Sequence, residues 1–345
     1  MSVRGKQILF SAALMAAVGV YAAEQTTIGP LMNAIVVHQY GGPDVLKAEQ
    51  IPQPTPKPNE LRVRVIAAGV NPVDALVRSG TLAKYFKTKL PLVPGYDIAG
   101  TVDAVGADAK KFKAGDPVYA YIGIEDGGGY AEYAIVSEKE AALKPKALNY
   151  VEAAAVPLAA LTAWQALLDT AHLSAGQTVL IHGGSGGVGS FAIQIAKAKG
   201  AKVIATASTQ NQDLLKSLGA DVAVDYTQTK FEDVAHEVDV VLDSVGKDTL
   251  ARSYAVVRKG GFIVSLVARP AQTELDRYGI RGAPLDAHPG ADELAEIGKL
   301  IDERKIKPIV SQVLPLADAG KAQAQAETGH TRGKIVLKVA EETDR

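Results

Sequence analysis

The residues best suited to chemistry stand together as Gly183-Gly184-Ser185-Gly186-Gly187-Val188-Gly189. An apolar run at 178–182 leads into this string, and a segment with helical spacing, 190–199, leads out of it. Glycines at 184, 186 and 189 permit a tight turn and close backbone approach, so a helix N-terminus can present its free N–H groups to a pyrophosphate. Such a pattern alone is weak evidence; the strand before it and the helix after it give it meaning. Gly184, Gly186, Gly187, Val188 and Gly189 are therefore the expected cradle of a dinucleotide.

The choice of dinucleotide falls at the end of the second strand, where NAD sites place a carboxylate on the ribose hydroxyls. This chain reads Ala205-Thr206-Ala207-Ser208-Thr209 there, small residues and hydroxyls that do not repel a 2'-phosphate. NADPH is the expected cofactor. The nearest acid, Asp213, lies in the following helix, and Gln210, Asn211 and Gln212 supply no cation, so the phosphate affinity is expected to be modest.

Other chemistries are excluded by composition. There is no cysteine, which rules out thiolate catalysis, disulfides and any zinc site needing sulfur ligands. The six histidines, His38, His172, His182, His236, His288 and His330, show no helical metal-binding spacing and read as surface or structural residues. A formal net charge of -1, with bases and acids interleaved, argues against a nucleic-acid partner.

Positioning such a turn takes a parallel sheet, and the second half of the chain carries its pattern. Apolar runs at 178–182, 202–206, 222–225, 238–243 and 262–267 alternate with helical segments at 190–199 and 211–218, which stop at Gly200 and Gly219. A doubly wound sheet is predicted. A further helix, 291–303, sets Leu294, Ile297, Leu300 and Ile301 on one stripe. Before this half, residues 34–157 are short β-rich runs, including 61–67, 99–105 and 130–136, punctuated by turn signals such as Gly41-Gly42-Pro43 and Gly115-Asp116-Pro117. The tail at 334–339 returns to β character and is expected to rejoin that first domain. At 345 residues, two domains are expected.

Residues 1–23 have the layout of a secretory signal: Arg4 and Lys6, an apolar run at 8–20, then small residues around Val20-Tyr21-Ala22. Cleavage is expected near Ala22 or Ala23, giving a periplasmic or exported protein with no stable membrane anchor. The alternative is a cytoplasmic chain starting at Met32, where Met32-Asn33-Ala34-Ile35-Val36-Val37 opens the first strand. The two readings conflict, since NADPH is expected in the cytoplasm and a twin-arginine signal is absent.

Five motifs together resemble the medium-chain dehydrogenase/reductases, and within them the zinc-independent quinone and enone reductases related to zeta-crystallin. They are Gly69-Val70-Asn71-Pro72-Val73-Asp74, Pro94-Gly95-Tyr96-Asp97-Ile98-Ala99-Gly100, Gly115-Asp116-Pro117-Val118-Tyr119, the glycine turn, and His330-Thr331-Arg332-Gly333-Lys334-Ile335-Val336-Leu337. The resemblance implies an α/β fold: a GroES-like β barrel from residues 32–157 plus 305–345, around an inserted Rossmann domain at 158–304. Zinc-dependent relatives carry a cysteine ligand where this chain has Asn71 and His-Glu where it has Tyr96-Asp97, so the catalytic metal is expected to be absent. By the same resemblance, Thr206, Ser208 and Tyr226 surround the adenosine phosphate. Asp243 and Val245 flank the cofactor, Leu266 and Val267 touch the nicotinamide, and Asn71 and Thr162 lie near the reacting ring. Tyr226 reads equally as an ordinary strand-end tyrosine, and Asp97 as a structural hydrogen-bond acceptor. Related reductases often place a tyrosine where this chain has Leu76; Tyr85, Tyr96 and Tyr121 are the possible replacements.

The chemistry implied is direct hydride transfer from NADPH to a quinone or to the β-carbon of an α,β-unsaturated carbonyl, with Asn71 binding the substrate oxygen and the proton coming from solvent or a cofactor hydroxyl. A homodimer is expected. The competing class is a non-catalytic NADPH-binding protein of the same fold, and a zinc alcohol dehydrogenase is nearly excluded.

Overall fold

The computed structural model describes residues 29–87 and 89–342, so the expected signal segment at 1–23 lies outside the described residues. The first part of the chain is rich in strands: β1 (Leu31–Val37), β2 (Leu46–Pro52), β3 (Glu60–Val70), helix α1 (Pro72–Arg78), β4 (Asp97–Val105), β5 (Pro117–Tyr121), β6 (Tyr133–Ser137), β7 (Ala141–Leu143) and helix α2 (Tyr150–Ala154). β3 is the hub, paired antiparallel with both β4 and β6. Its first half alternates buried and half-buried residues, as a strand with one wet face does; from Val65 to Val70 every residue is buried. The chain leaves β3 through Asn71, the N-cap of α1, whose Pro72 occupies the first helical turn where a missing N–H is harmless.

The second part holds α3 (Pro157–Trp164), β8 (Thr178–Ile181), α4 (Gly187–Ala198), β9 (Lys202–Ala207), α5 (Gln212–Ser217), β10 (Val222–Asp225), β11 (Val238–Asp243), α6 (Lys247–Ser253), β12 (Val257–Ser265), α7 (Gln272–Tyr278), β13 (Arg281–Pro284) and α8 (Ala291–Asp302). Its six strands are all parallel, in the order β10-β9-β8-β11-β12-β13. This is the doubly wound order, and the winding reverses between β8 and β11, where the strand ends open a crevice. The expected strands at 222–225 and 238–243 are found with those bounds. β12 begins earlier than its apolar run because the polar stretch at 258–261 continues the strand across a register shift, with Gly260 at φ 76°. β13, short and half-buried, carries no periodic signal; only its pairing with β12 makes it a strand.

The chain then returns through β14 (Val310–Pro315), α9 (Ala319–Glu327) and β15 (Lys334–Lys338). β15 lies antiparallel on β3 and parallel to β14, so the tail completes the first sheet, as its β character implies. α8 buries Leu294, Ile297 and Ile301 and rests on the first sheet, where the Tyr119 hydroxyl donates to the Leu294 carbonyl at 2.6 Å. One apolar cluster runs from Tyr96 and Tyr119 through Leu161 of α3 to Phe191 of α4 and Ile297 of α8. That shared core fixes the two sheets against each other.

Candidate active site

The glycine turn lies at the reversal point, directly after β8. Gly183 adopts φ 69°, a left-handed conformation that glycine enters without strain. Gly189 packs against the start of the turn so closely that an added Cβ would sit 2.2 Å from the Gly183 carbonyl oxygen. Residues 185–188 are half-exposed, and the helix N-cap, Gly186, has no side chain to satisfy the first N–H groups of α4. A twelve-residue helix thus offers unpaired donors and the positive end of its dipole to the crevice.

His182 supports the turn from below. It is buried, its Nδ1 3.2 Å from Thr206 Oγ1 and its Nε2 3.0 Å from Ser253 Oγ, with its ring edge-on to Phe231. Burial pushes its pKa down to about 4, the nearby Asp243 opposing that shift only in part, so the imidazole is neutral. It is a structural histidine, as its isolation in sequence suggests.

The strand ends around the crevice sort the expected cofactor residues into two groups. Thr206 is buried with its hydroxyl engaged by His182, whereas of the three hydroxyl residues expected at the adenosine phosphate Ser208 is half-exposed, its Oγ accepting from Asn211 Nδ2 at 3.1 Å, and Tyr226 is exposed. This corrects the expectation for Thr206: the inward face of β9 aims its side chain at the core. Asp243 is likewise interior, accepting from the Val245 and Gly246 N–H groups at 3.0 and 2.9 Å and from Ser265 Oγ at 2.8 Å. It shapes the loop that carries Val245. By contrast, Tyr226, Val245 and Val267 stand 58, 50 and 56% exposed at the ends of β10, β11 and β12, with Leu266 half-buried beside them. Large apolar side chains left in water at the carboxyl ends of parallel strands are what a dinucleotide covers.

Across from the turn, Asn71 is 4% exposed and hydrogen-bonded through its backbone N–H and both ends of its amide. Its backbone N–H donates to Asp74 Oδ2 at 2.6 Å, an oxygen that also accepts from the Tyr130 hydroxyl at 3.0 Å. Burial pushes the Asp74 carboxyl up to about 7, opposed by these hydrogen bonds and by Lys334. The Asn71 side chain donates from Nδ2 to Asp97 Oδ2 at 2.8 Å and accepts at Oδ1 from Lys334 Nζ. Asp97 Oδ1 accepts from the Leu158 N–H at 2.8 Å at the start of α3, which makes Asp97 a structural acceptor and also an ion-pair partner of Lys334 at 3.2 Å. Thr162, on α3, donates its hydroxyl to the Leu158 carbonyl, so what it has left to offer is an acceptor lone pair.

Of the possible phenol donors, Tyr85 is exposed and Tyr96 and Tyr121 are buried. Among the described residues neither hydroxyl makes a hydrogen bond. Burial first, then the charge of Asp74 near Tyr96 and of Asp97 near Tyr121, raises both phenols well above their ordinary range, so both stay protonated. Leu76 is exposed on α1.

Lys334 was missed by sequence reasoning as a site residue. Its signal was present: a lysine opening the apolar run Ile335-Val336-Leu337, which must be either an edge or a buried partner.

With this geometry in hand, the chain matches the alcohol dehydrogenase GroES-like domain over residues 57–146 and the zinc-binding dehydrogenase family over residues 218–337. The residues do not fit a metal, because the Lys334 ammonium already fills the space between Asn71 and Asp97 and would repel a second cation. Among the described residues no group of three His, Asp or Glu side chains could hold one elsewhere. The chain is 40% identical over 317 residues to the NADPH-dependent alkenal/one oxidoreductase, chloroplastic, of Arabidopsis thaliana, covering 89% of this chain and 79% of that protein. Its structure is similar to the quinone oxidoreductase from Coxiella burnetii, with TM-score 0.84, 38% identity and coverage of 90% of this chain and 100% of that one. It is also similar to the Escherichia coli quinone oxidoreductase complexed with NADPH, with TM-score 0.80, 31% identity and coverage of 89 and 100%.

Proposed function

Since the chain belongs to the medium-chain dehydrogenase/reductase superfamily, in its quinone oxidoreductase group, we propose that it is an NADPH-dependent, metal-independent reductase of quinones or α,β-unsaturated carbonyls. The observation that carries this reading is the hydrogen bond from the Gly333 N–H to the Ser185 carbonyl at 2.8 Å, which sets the glycine turn beside the strand whose next residue, Lys334, reaches Asn71. A nucleotide cradle and a buried polar cluster are thus set side by side.

NADPH fits that crevice on this chain's own features: the uncapped start of α4, the exposed Tyr226, Val245 and Val267, and the half-exposed Ser208 at the end of β9, a strand that ends without a carboxylate of its own. When bound, it supplies the hydride. The turn holds the pyrophosphate through backbone donors, and Asp243 fixes the Val245–Gly246 loop that bounds the crevice. Asn71 keeps one Nδ2 hydrogen for the acceptor oxygen as negative charge develops there. The proton that completes the reduction comes, in this reading, from solvent or a cofactor hydroxyl.

Purified protein mixed with NADPH and a panel of quinones, enals and enones tests the reading by loss of NADPH absorbance. Oxidation with at least one class is expected; tight NADPH binding without oxidation by any acceptor would leave a non-catalytic binding protein instead. Export through residues 1–23 is part of the same proposal, supported by the charged, apolar and small-residue regions in that order. An intact Met1 on cytosolic protein would discard it. A homodimer is the expected assembly, and sedimentation of the purified chain checks it.

A further inference from the structure

Two halves of the crevice are joined by one side chain. Lys334 starts β15, and its stem passes Gly187 so closely that a Cβ added to that glycine would lie 3.0 Å from Lys334 Cδ. Its ammonium donates to Asn71 Oδ1 and pairs with Asp97 Oδ2, which accepts in turn from Asn71 Nδ2. A cation, an amide and a carboxylate close a buried ring.

This ring removes a freedom the amide has by itself. The oxygen and nitrogen ends of an asparagine exchange by a half-turn, and only its neighbours decide between them. An ammonium has only donors and a carboxylate only acceptors, so Oδ1 must face Lys334 and Nδ2 must face Asp97. One Nδ2 hydrogen goes to Asp97. The other has no partner among the described residues, although the residue is nearly buried, where unpaired donors are rare.

The geometry points to Lys334 as the positioning residue of an oxyanion site, its charge fixing and polarising the Asn71 amide so that the free Nδ2 hydrogen meets the acceptor oxygen. This deepens the function proposed above and rests on it. Hydride adds to the β-carbon of an enone, the C=C electrons move toward the carbonyl oxygen, and solvent protonates the α-carbon. Lys334 and Asn71 finish with the protons they began with. The tethered ammonium takes the place of a Lewis acid, acting through an amide rather than by ligation.

A double-mutant cycle separates this role from a merely structural one. Lys334→Met is expected to lower kcat by about tenfold or more while KM for NADPH stays within about twofold, and to lower it by less than about twofold in an Asn71→Ala background, because the effect passes through that amide. Should Lys334→Met fold poorly, Lys334→Gln keeps a donor toward Oδ1 without the charge and carries the same comparison. A second readout needs no turnover: p-nitrophenol added to the protein with NADP+ is expected to ionise at lower pH than in solution, and Lys334→Met or Lys334→Gln should return it to the solution value. Additive losses in the cycle overturn the proposal, as does a nitrophenol titration that sits at its solution value on the wild type or does not move on substitution. A wild type for which none of the acceptors supports NADPH oxidation defeats the proposed function alone, and the nitrophenol titration then decides the role of Lys334.

Discussion

The Gly333 N–H donates to the Ser185 carbonyl at 2.8 Å, so the strand that completes the antiparallel sheet is tied to the turn that opens the parallel one. Two regions almost 150 residues apart in sequence therefore form one surface, and substitutions on it should separate cofactor binding, stability and chemistry.

Gly186→Ala and Gly189→Ala should behave differently. A Cβ on residue 186 meets nothing closer than the Gly183 carbonyl oxygen at 3.4 Å, whereas one on residue 189 meets it at 2.2 Å. Gly186→Ala is expected to keep the unfolding midpoint and weaken NADPH about tenfold or more by crowding the approach to the helix N-terminus. Gly189→Ala should lower stability by roughly 1–3 kcal/mol as the turn shifts. Fluorescence titration and thermal unfolding distinguish the two.

Ser208→Asp places a carboxylate at the end of β9, where the sequence lacks one. NADPH should bind at least about tenfold more weakly and NADH more tightly, because the new charge repels a 2'-phosphate and accepts from free ribose hydroxyls. An unchanged ratio of the two dissociation constants would place the phosphate elsewhere.

Asp97→Asn removes a charge from a buried pair and leaves Lys334 uncompensated. A loss of about 3–5 kcal/mol is expected in urea unfolding. Adding Lys334→Met to Asp97→Asn should recover part of that loss. Two losses that simply add would show that the ion pair is not what Asp97 chiefly provides.

Two buried groups give opposite pH dependences. His182 falls from 6.5 to about 4, so its stabilising neutral form is fully present above pH 6.5 and about 3 kcal/mol is lost as pH drops toward 4. Asp74 rises from 3.8 to about 7, so the fold favours its protonated form and about 4 kcal/mol is lost as pH climbs from about 4 to 7. Between pH 4 and 6.5 the two oppose each other. Asp74→Asn removes one of them, so its stability relative to the wild type should grow from about pH 4 to 7 and level off above that in denaturant titrations. A constant difference would mean that Asp74 is ionised throughout.

Most of the fold can be read from the sequence because its signals are local. Val222–Asp225 and Val238–Asp243 are valine-rich runs whose composition favours a strand, the second of them covered, and within the turn Gly183 and Gly189 are required by backbone conformation and close packing. β13 and β14 were illegible for the opposite reason. Each is a short strand with polar or half-buried residues, and it exists through the neighbour it pairs with.

The candidate site divides along the same line. The sequence by itself determined a glycine turn between strand and helix, a second strand ending without a carboxylate, the absence of thiolates and, through the resemblance of its motifs, Asn71 as a site residue. The tertiary structure alone decided that Thr206 and Asp243 face inward, that Asp97 joins α3 to the pocket, and that Lys334 reaches Asn71 across 263 positions of chain. Hydrogen bonds and ion pairs act over a few ångströms, and no periodicity records which distant side chains will share so short a range; that is set when the two sheets pack on their common core.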